Sequence, residues 1–152
     1  MPTNRIHVVA AVIVDGHQQQ IFISRRADHL HQGGFWEFPG GKVEAGESPE
    51  SALARELFEE LDIQVKTAEP YMQVEHDYPD KRVFLDIWQV NSFTGTARGK
   101  EGQECRWVGL QELLTENPER LYHFPAANLP ILERLSSSGL KSSGLNSSGL
   151  NR

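Results

Sequence analysis

Gly41-Lys42-Val43-Glu44-Ala45-Gly46-Glu47-Ser48-Pro49 runs on to Arg55-Glu56-Leu57-Phe58-Glu59-Glu60-Leu61-Asp62-Ile63. The first half reads as a glycine-rich loop and the second as a short acidic helix. Ser48 is suited to cap the helix, Pro49 to fill its first position, and Glu50 to face the positive end of its dipole. Leu53, Leu57 and Leu61 recur every four residues, and with Ala54 and Phe58 close by they are expected to form one apolar face. Glu56, Glu59 and Glu60 stand at i, i+3 and i+4, so they share a narrow arc beside the leucines.

Like charges at this spacing repel and weaken a helix. A solvated acidic face relieved by Arg55 is the plain structural reading. The preceding loop favours another. Gly40 and Gly41 allow the backbone to turn tightly and approach a ligand. Glu47 lies just before the helix and can reach back to Arg55 or to a metal. Hard carboxylate oxygens converging on one point suit Mg²⁺ or Mn²⁺, with water and substrate phosphate oxygens filling the remaining positions.

Gly41, Glu47, Arg55-Glu56-Leu57, Glu59-Glu60 and Ile63, at these separations, resemble the signature of the Nudix family, the Nudix box. Its members are hydrolases of nucleoside diphosphates linked to another group. Asp62 departs from the pattern, which usually has glycine there. Aspartate tolerates the left-handed conformation better than most residues, so the turn is expected to survive.

Around this junction Ile6 to Val14 reads as a buried strand, Asp15-Gly16 as a turn, and Gln20 to Arg26 as the paired strand. Ala27 to Gly34 is a polar loop; His29 and His31 in it read as solvated rather than as ligands. Phe35 to Pro39 is a short strand into the box. Gln64 to Ala68 is extended, and Tyr71 to Tyr78 and Arg82 to Val90 form a hairpin about Pro79-Asp80-Lys81. Ser92 to Gly102 is a loop carrying Glu101. Glu104 to Val108 is a strand, Leu110 to Leu114 a helical turn, and Pro130 opens a last helix through Leu135. Ser137-Ser138-Gly139-Leu140-Lys141 then recurs at 142–146 and 147–151. Serine and glycine favour disorder, so the domain is expected to span 1–136 and the tail, 137–152, to be dispensable.

The chain of 152 residues suits one domain, and its net charge of −6 argues against a nucleic-acid polymer as partner. Its single cysteine, Cys105, excludes a disulfide framework and fits a reducing compartment. No signal peptide and no long apolar run is present, so a cytoplasmic protein with no membrane partner, acting as a monomer, is expected.

The family resemblance covers roughly residues 5–135. It implies an α/β (α+β) fold, an α/β/α sandwich around a mixed β-sheet. Further stretches, Ile21 to Arg26, Glu37 to Lys42, Gly99 to Gln103 and Phe124 to Asn128, bring it toward the members that hydrolyse 8-oxo-dGTP to 8-oxo-dGMP and pyrophosphate. By this resemblance Glu56, Glu59, Glu60 and Glu101 gather Mg²⁺ (or Mn²⁺) with the Gly41 carbonyl, and Glu47 with Arg55 braces the loop and helix. Arg26 would contact phosphate, while Phe38 and Asn128 would line the base pocket. Water would attack the β-phosphorus with Glu56 as the base. Lys81-Arg82 departs from the pattern near sugar and base. A Nudix hydrolase for another nucleotide, such as a pyrimidine triphosphate or ADP-ribose, is the alternative. For Asn128, capping of the last helix is the alternative to a base contact.

Overall fold

The computed structural model describes residues 5–15, 19–30, 33–115 and 122–141. Strand β1 (Arg5–Val14) lies at the centre of a mixed sheet. On one side it pairs antiparallel with β2 (Gln20–Arg25), which pairs in turn with β3 (Trp36–Glu37) and β7 (Cys105–Gly109). On the other side β1 runs parallel to β6 (Lys81–Thr94), from Arg5 beside Arg82 to Ile13 beside Val90. Antiparallel to β6 runs the edge strand β5 (Gln64–Tyr78). Strand β4 (Gly40–Lys42) pairs with the early part of β1.

Alternation along β1 divides the core. Val9, Ala11 and Ile13 face helix α1 (Pro49–Leu61), whose Ala52, Leu53, Leu57 and Leu61 are buried against them. Ala10, Val12 and Val14 face the other way, toward Phe124, Ala127, Ile131 and Leu135 from the C-terminal part of the chain. That part holds a short helix α2 (Leu110–Leu114), a single 3₁₀ turn (Ala126–Asn128) and helix α3 (Leu129–Ser138). The result is the expected α/β/α sandwich around a mixed sheet.

Several expectations are corrected. Gly40–Lys42 is a strand, not a loop: a Cβ on Gly40 would stand 1.9 Å from the Val9 carbonyl oxygen, so glycine is required for the pairing with β1. Ala54 and Phe58 do not join the buried face of α1; Phe58 is 45% exposed and carries the Lys100 ammonium 4.8 Å above its ring. The two extended stretches expected on either side of Pro70 are one strand, because Pro70, which cannot donate to the ladder, sits at a register shift. Ser92 to Thr94 belongs to β6 rather than to the following loop. Lys81 and Arg82 serve the hairpin itself, the first over the Tyr78 ring and the second paired with Asp77 at 3.3 Å. Gly16 and His31 lie outside the described residues.

The boundary expected at residue 136 falls inside α3, which continues to Ser138. Beyond it, the Gly139 carbonyl accepts a hydrogen bond from the Tyr71 hydroxyl (2.7 Å). Gln89, 1% exposed, brackets Lys141: its Oε1 accepts from the Lys141 backbone N–H (2.8 Å) and its Nε2 donates to the Lys141 carbonyl (2.9 Å). Leu140 packs against the core. The first Ser-Ser-Gly-Leu unit is therefore built into the domain, since it satisfies a buried amide. Residues 142–152 lie outside the described residues.

Candidate active site

Helix α1 begins as its sequence dictates, with the Ser48 hydroxyl accepting from the Ser51 N–H (3.1 Å) and Pro49 in the first turn. Two turns in, Arg55 ties the helix to the strand and loop before it. Its Nε and Nη2 donate to both oxygens of Glu47 (2.7 and 2.9 Å), and Nη2 also donates to the Lys42 carbonyl (3.1 Å). This is the planar two-point grip that a guanidinium offers a carboxylate. It holds Glu47 well below the usual carboxylate range, at about 2, with help from the Glu44 N–H. Arg55 is raised in return, chiefly by its hydrogen bonds with Glu47. Glu47 thus turns toward Arg55, one of the two directions open to it in the sequence.

Arg55 also reaches forward, with Nη1 3.1 Å from Glu56 and 3.5 Å from Glu59. Glu56 lies over β4: a Cβ at Gly41 would stand 2.3 Å from its carboxyl carbon, so the bare glycine backbone makes room for it. Burial raises Glu56, opposed by Arg55. Glu60 is pushed up to about 8, first by burial and then by the negative charges of Glu56, Glu37 and Glu101. Those causes reveal a neighbourhood: the acidic face of α1, the loop after β6 and the strand before the box bring carboxylates into mutual range. Glu59 is the more exposed member, its side chain 55% accessible.

Among the described residues, no three acidic or imidazole side chains converge closely enough to enclose an ion as they stand. Glu56 is turned to Arg55 and hydrogen-bonded with Glu60. The donor set nonetheless fits a hard divalent cation. Carboxylate oxygens around a glycine backbone are its preferred ligands, and the elevated Glu60 marks negative charge that two positive charges would relieve.

Glu60 and Glu101 line a cleft of about 320 Å³ together with Arg25 and Arg26. Arg26, the expected phosphate contact, lies 3.2 Å from Glu37, and Arg25 3.0 Å from Asp28. Glu37 was not singled out by the sequence reading. It is a half-buried carboxylate raised by desolvation against the pull of Arg26, and it lines the same cleft. Its only sequence signal was its place directly before the Phe38-Pro39-Gly40-Gly41 run.

Phe38 is 4% exposed and stacks on Phe124 with ring centroids 5.1 Å apart, so its ring is part of the core beneath any pocket there. Asn128 is half-buried at the start of α3 and makes no side-chain cap hydrogen bond to that helix. His29 is exposed. The site residues thus fall into three groups: Glu47, Arg55, Glu56 and Glu59 in one network above Gly41; Glu60, Glu101 and Arg26 around the cleft; and Phe38 with Asn128 on the α3 side of the sheet.

The family model described as NUDIX domain matches residues 9–134. The 8-oxo-dGTP diphosphatase of Escherichia coli K12 is 38% identical over 127 residues, 84% of this chain and 94% of that protein. The CTP pyrophosphohydrolase of the same organism is 37% identical over 129 residues, 84% of this chain and 89% of that protein. Among solved structures, one from a study of MutT from Aliivibrio salmonicida and Vibrio cholerae superposes with a TM-score of 0.73 at 42% identity, covering 87% of this chain and 97% of its own. With the signature spread over β4 and α1, and the sandwich that holds it shared with these relatives, the chain belongs to the Nudix hydrolase family.

Proposed function

We propose that this chain hydrolyses 8-oxo-dGTP to 8-oxo-dGMP and pyrophosphate, cleansing the nucleotide pool of an oxidised base. Nudix hydrolases act on nucleotide substrates and generally use divalent metal ions. Here Mg²⁺ or Mn²⁺ would be held by Glu56, Glu59, Glu60, Glu101 and the Gly41 carbonyl. When bound, the cation would neutralise phosphate charge and lower the pKa of water. The protein's own part is to position and to move a proton. Arg55 and Glu47 fix the strand and helix, Arg26 steadies the phosphates, and Glu56 takes the proton from water attacking the β-phosphorus. The enzyme would act as a monomer on free nucleotides in the cytoplasm; the net charge of −6 supports small substrates over a nucleic-acid polymer.

The observation that carries the choice of base is Asn128, a half-buried amide that does not cap the helix it precedes. Guanine shows two acceptors, O6 and N7, on one edge. Oxidation at C8 puts hydrogen on N7, so an acceptor then stands beside a donor, complementary to one amide. Facing the normal base, the amide leaves a polar group unmatched, at a cost on the order of 1–3 kcal/mol or roughly tenfold to a hundredfold in discrimination. The test compares kcat/KM for 8-oxo-dGTP, dGTP and CTP in the native protein and in Asn128→Ala. The native protein should prefer 8-oxo-dGTP, and the variant should lose most of that preference over dGTP. Fastest turnover of CTP, the substrate in the name of one relative, would replace the reading. An unchanged ratio in Asn128→Ala would remove its basis.

A further inference from the structure

A helix ends with carbonyl oxygens that its own turns cannot satisfy. At the end of α1 these oxygens receive hydrogen bonds from one loop, the connection between β6 and β7. The Leu61 carbonyl accepts from the Arg98 N–H (3.1 Å) and the Glu60 carbonyl from the Lys100 N–H (2.9 Å). The Glu60 carbonyl also accepts from Gln103 Nε2 (3.2 Å), while Gln103 Oε1 accepts from the backbone N–H of Glu101 (3.0 Å). One planar amide therefore spans the main chain of Glu60 and the main chain of Glu101, the two carboxylates that share the cleft. The loop is drawn tight behind it: a Cβ on Gly99 would stand 2.0 Å from the Gln103 carbonyl oxygen.

Asp62 adds a second tether. It keeps the left-handed conformation (φ 64°, ψ 36°) of the glycine it replaces in the family signature, so the backbone path is unchanged. What the substitution adds is a carboxylate, 3.2 Å from Arg98 and 3.9 Å from Lys100. Both cations belong to the loop that carries Glu101.

We propose that Gln103 is a positioning residue that sets the Glu101 carboxylate against Glu60, with Asp62 as a salt-sensitive tether of the same loop. This rests on the reading of Glu101 as a metal ligand. Gln103 lines the cleft, and both ends of its amide are held by main chain, at Glu60 and at Glu101; its effect passes through the place of one carboxylate, and outer-shell partners of ligands characteristically change metal affinity by 10–100-fold.

The test titrates the protein with Mn²⁺ alone, without nucleotide, following free Mn²⁺ by electron paramagnetic resonance. A thermal melt of each variant serves as the control. Gln103→Ala should weaken Mn²⁺ binding roughly tenfold with little change in melting temperature. In a Glu101→Gln background the same change should have less than about a twofold further effect, because the group it positions is gone. Gln103→Glu, which keeps the acceptor for the Glu101 N–H and loses the donor to Glu60, should fall between, and guards against a poorly folded alanine variant. Asp62→Gly should weaken binding about twofold at low salt and not at all near 1 M, where the Debye length is about 3 Å. Equal losses from Gln103→Ala in both backgrounds would overturn the positioning role alone. Unchanged Mn²⁺ binding in Glu101→Gln would overturn the ligand assignment and the proposal with it.

Discussion

Cutting the chain after Ser136 should destabilise it, although the sequence of the tail suggests otherwise. The cut removes the last two residues of α3 and the bonds beyond them. Gln89 loses the Lys141 N–H and carbonyl and keeps only its bond to Asn91 Oδ1 (2.7 Å). Stranding a buried polar group costs about 1–3 kcal/mol, toward the low end here because the covering segment leaves with the bond. The Tyr71 hydroxyl loses the Gly139 carbonyl, worth about 1 kcal/mol, and half-buried Leu140 takes with it about 1 kcal/mol of apolar burial. The sum is about 3 kcal/mol. In a domain of this size that lowers the Tm by roughly 6–12 °C. A second protein ending at Lys141 keeps every one of these contacts and should melt within about 2 °C of the full chain. Turnover well below the melting temperature should survive both cuts, because α3 carries the segment roughly 15 Å away from Asn128 at its other end. Calorimetry on the three proteins decides. If the chain ending at Ser136 melts with the full-length protein, the bonds around Gln89 are not worth what their burial implies.

Glu59→Gln, which removes one charge from the exposed member of the cluster and leaves the core untouched, should lower turnover by more than about a hundredfold at limiting Mg²⁺ with an unchanged melt; near-normal rates would contradict its place in the site. Glu60 gives a pH dependence of definite sign. Its folded-state pKa, about 8, lies above the ordinary 4.5, so between these values the unfolded chain releases a proton that the folded one keeps. Its contribution to stability without metal is full below pH 4.5 and declines as the pH rises toward 8. Glu60→Gln should flatten that decline, and a slope that persists in the variant would assign it to another group.

Helix α1 was legible almost to the residue because its determinants are local: a serine cap, a proline in the first turn, leucines every fourth position and an aspartate able to close the end. Strands β1 and β2 were legible from their own residues, the first from its run of valine and isoleucine and the second from its alternation, and β6 was legible as far as Val90. What failed depends on partners distant in sequence. Gly40 to Lys42 has no strand propensity and becomes a strand only because β1 lies alongside. Pro70 looks like a break until the bulge that absorbs it is seen. Phe58 reads as core beside the leucines, yet it is 45% exposed and carries the Lys100 ammonium over its ring. Glu37 becomes chemically unusual only through burial beside Glu60, which no local pattern announces. The tail had the composition of a disordered segment, and the buried amide of Gln89, the Tyr71 hydroxyl and the packing of Leu140 show why its first unit is held.

The parallel pairing of β1 with β6 has a consequence for how the molecule is made. Arg5 aligns with Arg82, so β1, once made, waits for β6 before the centre of the sheet can close. Everything between them, the acidic helix included, is synthesised first and can form only partial structures. Long-range pairing of this kind slows folding toward the millisecond-to-second range. The carboxylates of α1 therefore wait beside an unfinished sheet, and Glu101 joins them only after β6 has been laid down. Assembly of the acidic cluster and closure of the core become one late event, and a nascent chain stalled before residue 82 holds most of the acidic signature without Glu101 beside it.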